Sequence, residues 1–242
     1  MKLLQLSKSQ QKTVDGIDGW LTNPEQNLLY TLAKNCKDKG VIVEIGSWKG
    51  KSTACLGFGS RDSGKNTKII SIDPHIGSPF EQQLFDKPIW TFEEFKKNMK
   101  KAKLDDLITA HVATSEEIAK KWKKPIALLW IDGSHVYKDV KKDFKLWFPH
   151  IIDGGIIVMD DTINIWGPRK VALDNLYNSK KIRNVGIVDK ISYGEKTKKT
   201  TPAEQLQNKR VLAINIFSSL IWRIPTPKGV RVIGKKILQA LQ

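Results

Sequence analysis

Residues 41–53 read VIVEIGSWKGKST: a short apolar run, an acid, glycines at Gly46 and Gly50, then Lys51, Ser52 and Thr53 opening a helical pattern. A β-branched run bounded by glycine favours a buried parallel strand, and glycine admits a ligand where any Cβ would collide. A ligand is therefore expected at the carboxyl end of this strand. Two phosphate loops are excluded by spacing. A Walker A loop needs four residues between its first glycine and Gly-Lys-Ser/Thr, whereas only Ser47, Trp48 and Lys49 intervene. The dinucleotide fingerprint needs a second glycine two places after the first; Trp48 stands there, and its bulk obstructs approach to a pyrophosphate.

The same pattern recurs along the chain. Apolar runs at 68–73 (KIISID), 107–112, 126–132 (IALLWID) and 156–159 alternate with helical patterns at 52–59, from a Thr91 cap to about residue 103, at 136–148 and at 168–178. Strands alternating with helices predict an open α/β sheet, mostly parallel. The carboxyl ends of its strands share one edge, so Glu44, Asp73, Asp132, Asp160 and Asp161 converge on one crevice. Five carboxylates there repel one another and lose hydration, so hydroxyls, amides, a cationic ligand or a metal ion must offset them. Asp73, some two dozen residues past the glycine loop, stands where α/β folds hydrogen-bond ribose hydroxyls. Thr114 and Ser115, ahead of Glu116 and Glu117, suit a helix cap or a ligand contact.

The flanks are read more coarsely. Residues 1–23 form an amino-terminal arm from which Trp20 and Leu21 fold over the site. Asn23-Pro24-Glu25 starts a helix with Leu28, Leu29, Leu32 and Ala33 as its stripe. The aromatic segment 75–90, with Phe80 and Phe85, reads as a lid or substrate loop. Past the fifth strand, 182–191 reads as a strand, 193–208 as a polar loop and 210–217 as a last strand. The last two strands form an antiparallel pair at the sheet edge. A carboxyl-terminal amphipathic tail, 218–242, carries Val230, Ile233, Ile237 and Leu241 on one face, for docking on its own domain or for peripheral membrane contact.

With 242 residues, 40% of them hydrophobic, one large domain over 24–217 is expected. The net charge of +16 suits nucleic acid, an anionic membrane surface, an anionic substrate or a lysine-rich solvated exterior, and alone decides nothing. Two cysteines, no signal-peptide pattern and apolar runs far below the ~20 residues of a membrane span point to a cytoplasmic protein without a transmembrane segment.

Four motifs in order, VEIGSWKGKST, SIDPH, LLWIDGSHVYKDVKKDF and GGIIVMDDT, resemble class I S-adenosylmethionine-dependent methyltransferases. Within these the chain is similar to the Methyltransf_24 family, akin to cephalosporin-type and rhamnosyl O-methyltransferases and more distantly to catechol O-methyltransferase. The resemblance covers roughly residues 23–217. It implies a Rossmann-like, seven-stranded, mostly parallel sheet with an antiparallel edge strand and helices on both faces. It implies S-adenosylmethionine held by Glu44, Gly46 and Ser47 at the methionine end, by Lys51, Ser52 and Thr53 opening the helix, by Asp73 at the ribose, by Thr114 and Ser115 at the adenine, and by Asp132. Asp132, Asp160 and Asp161 then stand where metal-dependent members hold Mg²⁺, although members often carry histidine at the place of Asp160. The base of catechol-type relatives, a lysine three residues after the first metal aspartate, is replaced by His135, with Lys138 one turn on; both are candidate catalytic residues.

The expected activity is O-methylation of a small molecule or glycan, for which the lysines suit an anionic acceptor, by a homo-oligomer. A nucleic-acid methyltransferase is the first alternative. Amino-methylating members of that class carry an Asn/Asp-Pro-Pro-aromatic run after the fourth strand, however, and here the strand ends in Ile131-Asp132-Gly133-Ser134, so a nucleic-acid partner is not expected. A non-catalytic scaffold on the same fold is the second.

Overall fold

The structure is a computed structural model that describes residues 1–77, 82 and 88–223. Phe80 and Phe85 of the expected lid, and residues 230–241 of the amphipathic tail, lie outside the described residues.

Seven strands form one sheet: β1 (Val41–Ile45), β2 (Ile69–Ile72), β3 (Ile108–His111), β4 (Ile126–Ile131), β5 (Ile151–Met159), β6 (Ile182–Val188) and β7 (Ile191–Lys196). Their order is β3-β2-β1-β4-β5-β7-β6. The first five pair in parallel, and β7 runs antiparallel to both β5 and β6. The continuous apolar character of β1 and β4 follows from burial on both faces. Ile42, Leu128 and Trp130 join one apolar cluster with α1 (Lys8–Asp15), α2 (Asn23–Asn35), α3 (Lys51–Asp62) and α4 (Phe92–Lys101). Val43, Leu129 and Ile131 join another with α6 (Tyr137–Trp147) and α7 (Trp166–Ala172), which follow the short α5 (Ser115–Ala119).

The strand order reverses between β1 and β4, and in open α/β sheets ligands bind at that switch point. There the chain ends are pressed together. Gly46 N–H donates to the Ile72 carbonyl at 3.0 Å and Asp132 N–H to the Ile45 carbonyl at 2.8 Å. Gly46 has φ +85°, and a Cβ on it would fall 2.2 Å from the Asp132 carbonyl oxygen.

Two segments depart from expectation. The last strand, Ile191–Lys196, begins at the end of the expected 182–191 strand and runs into the expected 193–208 loop, and the expected strand 210–217 lies within α8 (Pro202–Arg223). Among the described side chains of α8 the buried ones are Asn208, Val211, Asn215, Ser218 and Ser219, three and four apart as on one helix face. Asn215 confirms the helical packing: its Nδ2 donates to the Thr162 carbonyl at 3.0 Å and to the Tyr177 hydroxyl oxygen at 2.9 Å. The arm, in turn, contains α1, opened by a Ser7–Gln10 capping box, and it buries Val14 and Ile17 in the core. The helix expected from an Asn23 cap is α2, and Thr22 stands before it, its N–H donating to Glu25 Oε2 at 2.8 Å.

Candidate active site

The strand tips open into a cleft of about 730 Å³. Of the residues singled out in the sequence, Gly46, Ser47, Lys51, Ser52, Asp73, Thr114, Ser115, Asp132, His135, Asp160 and Asp161 line it. Glu44 and Thr53 are buried behind the loop, and Lys138 lies exposed on α6 outside the cleft lining.

On the β1–β2 side the acids are satisfied by neutral donors. Glu44 is fully buried; it accepts from Ser52 Oγ and Thr53 Oγ1, both at 2.6 Å, from the first turn of α3. Burial pushes its carboxyl up to about 7, with the two hydroxyls opposing the rise. Asp73 Oδ2 accepts the backbone N–H groups of Ser47 and Trp48, each at 2.8 Å, and its Oδ1 accepts that of His75 at 2.6 Å. This carboxylate therefore fixes the glycine loop as well as facing the cleft. The loop is strained: Trp48 has φ 48° and His75 φ 58°, a region disfavoured for bulky residues and found at ligand sites. The expected cover from the arm is present, since Trp20 lines the cleft and packs on Trp48 with ring centroids 5.6 Å apart. Lys51 Nζ ties the arm down through the Gly19 carbonyl at 3.2 Å.

Next to β3, Thr114 caps α5 and donates with both N–H and Oγ1 to Glu117 Oε2, at 2.8 and 2.6 Å. Ser115 Oγ donates to Asp143, whose carboxyl burial pushes up to about 6. Asp143 was not anticipated, yet a signal existed: it shares a helix face with Val140, Phe144 and Trp147, all buried, and an acid inside an apolar stripe requires a partner or a ligand.

On the β4–β5 side the compensation is ionic. Asp132 follows β4, and Asp160 and Asp161 follow β5. His135 Nε2 lies 2.9 Å from Asp161 Oδ2. Lys190, in the two-residue turn between β6 and β7, places Nζ 2.5 Å from Asp160 Oδ2 and 3.3 Å from Asp161 Oδ1. Burial and the neighbouring Asp160 charge raise the Asp132 carboxyl well above its usual range. Burial likewise raises Asp160 against the pull of Lys190. For Asp161 burial is outweighed by the His135 contact and the Lys190 charge, which hold it below the usual range. Burial disfavours the Lys190 ammonium, but Asp160, Asp132 and Asp161 together push its pKa up. Asp161 itself sits at φ 53°. The start of α7 presses on this corner, for a Cβ on Gly167 would fall 2.1 Å from the His135 carbonyl oxygen. Nothing in the sequence pattern singles out Lys190.

In total eight carboxylates and three lysines line the cleft, an acidic pocket in a protein of net charge +16. No helix among the described residues is long and apolar enough to cross a membrane.

Residues 43–162 match the family profile Methyltransf_24, a methyltransferase domain. The uncharacterized protein R132 of Acanthamoeba polyphaga mimivirus is 29% identical over 151 residues, which is 60% of this chain and 60% of that protein. The chain thus matches about three-fifths of that curated relative's length. Among solved structures, the SAH-bound methyltransferase PaMTH1 of Podospora anserina superposes with a TM-score of 0.61 at 13% identity, covering 81% of this chain and 90% of that one. The O-methyltransferase TomG of Streptomyces achromogenes, solved in complex with SAM, gives 0.57 at 15% identity, covering 81% and 92%. At these identities the likeness to both structures is one of fold.

Proposed function

Because this chain is a class I methyltransferase, with a Methyltransf_24 domain over residues 43–162, we propose that it transfers the methyl group of S-adenosylmethionine to a hydroxyl of a small molecule or glycan. One observation carries this reading: the glycine loop, the Asp73 carboxylate and the His135–Asp161 pair all face one cleft of about 730 Å³. The cleft also fits the cofactor chemically. Ser47 Oγ is buried against it without a hydrogen-bond partner among the described residues, and it suits the carboxylate or amine of a methionine moiety. The excess of acids favours a sulfonium and an ammonium over polyphosphate. The same excess repels a nucleic-acid backbone. It also turns the acceptor expectation from anionic to uncharged, because the lysines that suggested an anion lie mostly elsewhere.

In this reading Gly46, Ser47, Lys51 and Ser52 surround the methionine end, Asp73 receives the ribose hydroxyls, and Thr114 and Ser115 flank the adenine. Asp132 faces the amine, and Glu44 with Thr53 braces the loop from beneath. When bound, S-adenosylmethionine supplies an electrophilic methyl group and takes the electron pair of the broken carbon–sulfur bond onto sulfur. The chain must align the acceptor oxygen in line with that bond and remove its proton. His135 takes the proton on its imidazole, and Asp161, 2.9 Å from Nε2, stabilises the imidazolium. Lys138, exposed and outside the cleft lining, has no part in this step.

Metal assistance, which the resemblance implies, meets a poor fit. Asp132, His135 and Asp161 can bring ligand atoms within 4.8 Å of one another. Asp160 and Asp161, however, already direct oxygens at the Lys190 ammonium. Cys36 and Cys55 are buried and unpaired, which suits the reducing cytoplasm.

The test is calorimetry with S-adenosylhomocysteine, followed by transfer of labelled methyl to a panel of uncharged hydroxylated glycans and phenolics. Binding and transfer to a hydroxyl are expected. Absence of cofactor binding by the folded protein would remove the enzymatic reading and leave the scaffold alternative.

A further inference from the structure

The turn carrying Lys190 is fixed from two directions. Its N–H donates to Glu25 Oε1 on α2 at 3.1 Å, and its carbonyl accepts from Thr162 N–H at 2.9 Å and Thr162 Oγ1 at 3.0 Å. The preceding Asp189 accepts from Thr22 Oγ1 at 2.6 Å. The backbone is thereby held so that the side chain runs into the acid cluster, where Nζ meets Asp160 Oδ2 at 2.5 Å and Asp161 Oδ1 at 3.3 Å and still lines the cleft. Asp160 is 4% exposed and Asp161 8%, so the ammonium compensates charges that water reaches poorly.

A Mg²⁺ ion needs oxygens at ~2.0–2.1 Å in near-octahedral array. Bound by Asp160 and Asp161, it would stand within a few ångströms of Nζ, and two positive centres would share oxygens sufficient for one. We propose that Lys190 is a resident cation that takes the place of a divalent ion: it excludes the metal from the Asp132–Asp160–Asp161 cluster and supplies, from the protein itself, the positive charge beside the acceptor oxygen. The second half rests on the methyl-transfer reading; the exclusion of metal does not.

The experiment uses Mn²⁺ as the probe, followed by electron paramagnetic resonance and by thermal shift, on the full-length wild type and on Lys190→Met. The wild type is expected to leave Mn²⁺ free at millimolar concentration and to keep its turnover in EDTA. Lys190→Met is expected to bind Mn²⁺ at least ~10-fold more tightly and to melt higher with Mn²⁺ than without, since opposing the buried acids is then left to the ion. Turnover of Lys190→Met is expected to fall ~100-fold, by loss of a preorganised charge, and to recover in part with Mn²⁺. Tight Mn²⁺ binding by the wild type that Asp161→Asn abolishes would overturn the proposal. So would a folded Lys190→Met that gains no Mn²⁺ affinity. Should Lys190→Met fail to fold, the wild-type titration and Lys190→Gln carry the same two outcomes. Mn²⁺ binding is read without turnover, and S-adenosylhomocysteine calorimetry on the same samples tests the methyl-transfer reading separately.

Discussion

Two halves of one sheet edge solve the same electrostatic problem differently. At the tips of β1 and β2, Glu44 and Asp73 are compensated by two hydroxyls and three backbone N–H groups. At the tips of β4 and β5, Asp160 and Asp161 are compensated by Lys190 and His135. The neutral donors are hydroxyls of the first turn of α3 and backbone N–H groups of the glycine loop and of His75, and they shape a loop. The ionic partners are side chains, and they leave an imidazole and an ammonium against the two acids. In the proposed reading the first half holds a molecule and the second changes one.

The comparison breaks most sharply at His135. His135→Ala is expected to lower turnover by ~10²–10⁴ while leaving S-adenosylhomocysteine affinity nearly unchanged by calorimetry; an equal loss in both would make His135 a holding residue like Asp73. The next effect lies on the other half. The Glu44 carboxyl is raised from 4.5 to about 7, so the folded state binds its proton more firmly than the unfolded chain does. Its favourable contribution is complete below pH 4.5 and is lost as the pH rises through about 7. Urea titrations should show wild-type stability falling over that window by up to about 3 kcal/mol more than that of Glu44→Gln. Asp161, held below its usual range by His135 and Lys190 against the effect of burial, contributes with the opposite sign, and its share is lost on acidification.

Asp73→Asn is smaller. Its replacement keeps one acceptor where three N–H groups converge, and a cost of about 1–3 kcal/mol is expected in stability, with roughly tenfold weaker S-adenosylhomocysteine binding and no separate loss in the chemical step. Smallest of all is Lys138→Ala, expected to leave turnover within ~2-fold, as for exposed residues without buried partners. A large loss there would move the base from His135 to Lys138, one helical turn on.

Much of this is legible in the sequence. Four of the five parallel strands, the helix after the glycine loop and the carboxylates at the strand tips follow from apolar runs that carry an acid or end in one, because burial on both faces leaves a strand no alternation to show; β3 is only partly buried and is followed by no acid. The errors cluster past β5. Segment 210–217 reads equally well as strand or helix over a short window, and tertiary packing of Asn208, Val211 and Asn215 decided for α8. Asp143 was overlooked although its position in the apolar stripe of α6 marked it. Glu44, expected at the methionine end, is fully buried behind the loop, where it accepts from Ser52 Oγ and Thr53 Oγ1, contacts that its place in the strand does not reveal.

The sequence by itself determined the sheet's parallel core, the glycine loop at the switch point and the acids along the cleft, because each is written in local spacing and in side-chain period. Only the tertiary structure decided what neutralises those acids. Lys190 stands 30 residues from Asp160 and 165 from Glu25, in a turn whose composition carries no sign of its destination. Its place is set by backbone hydrogen bonds to two other elements, and such contacts exist only once the chain has closed around them.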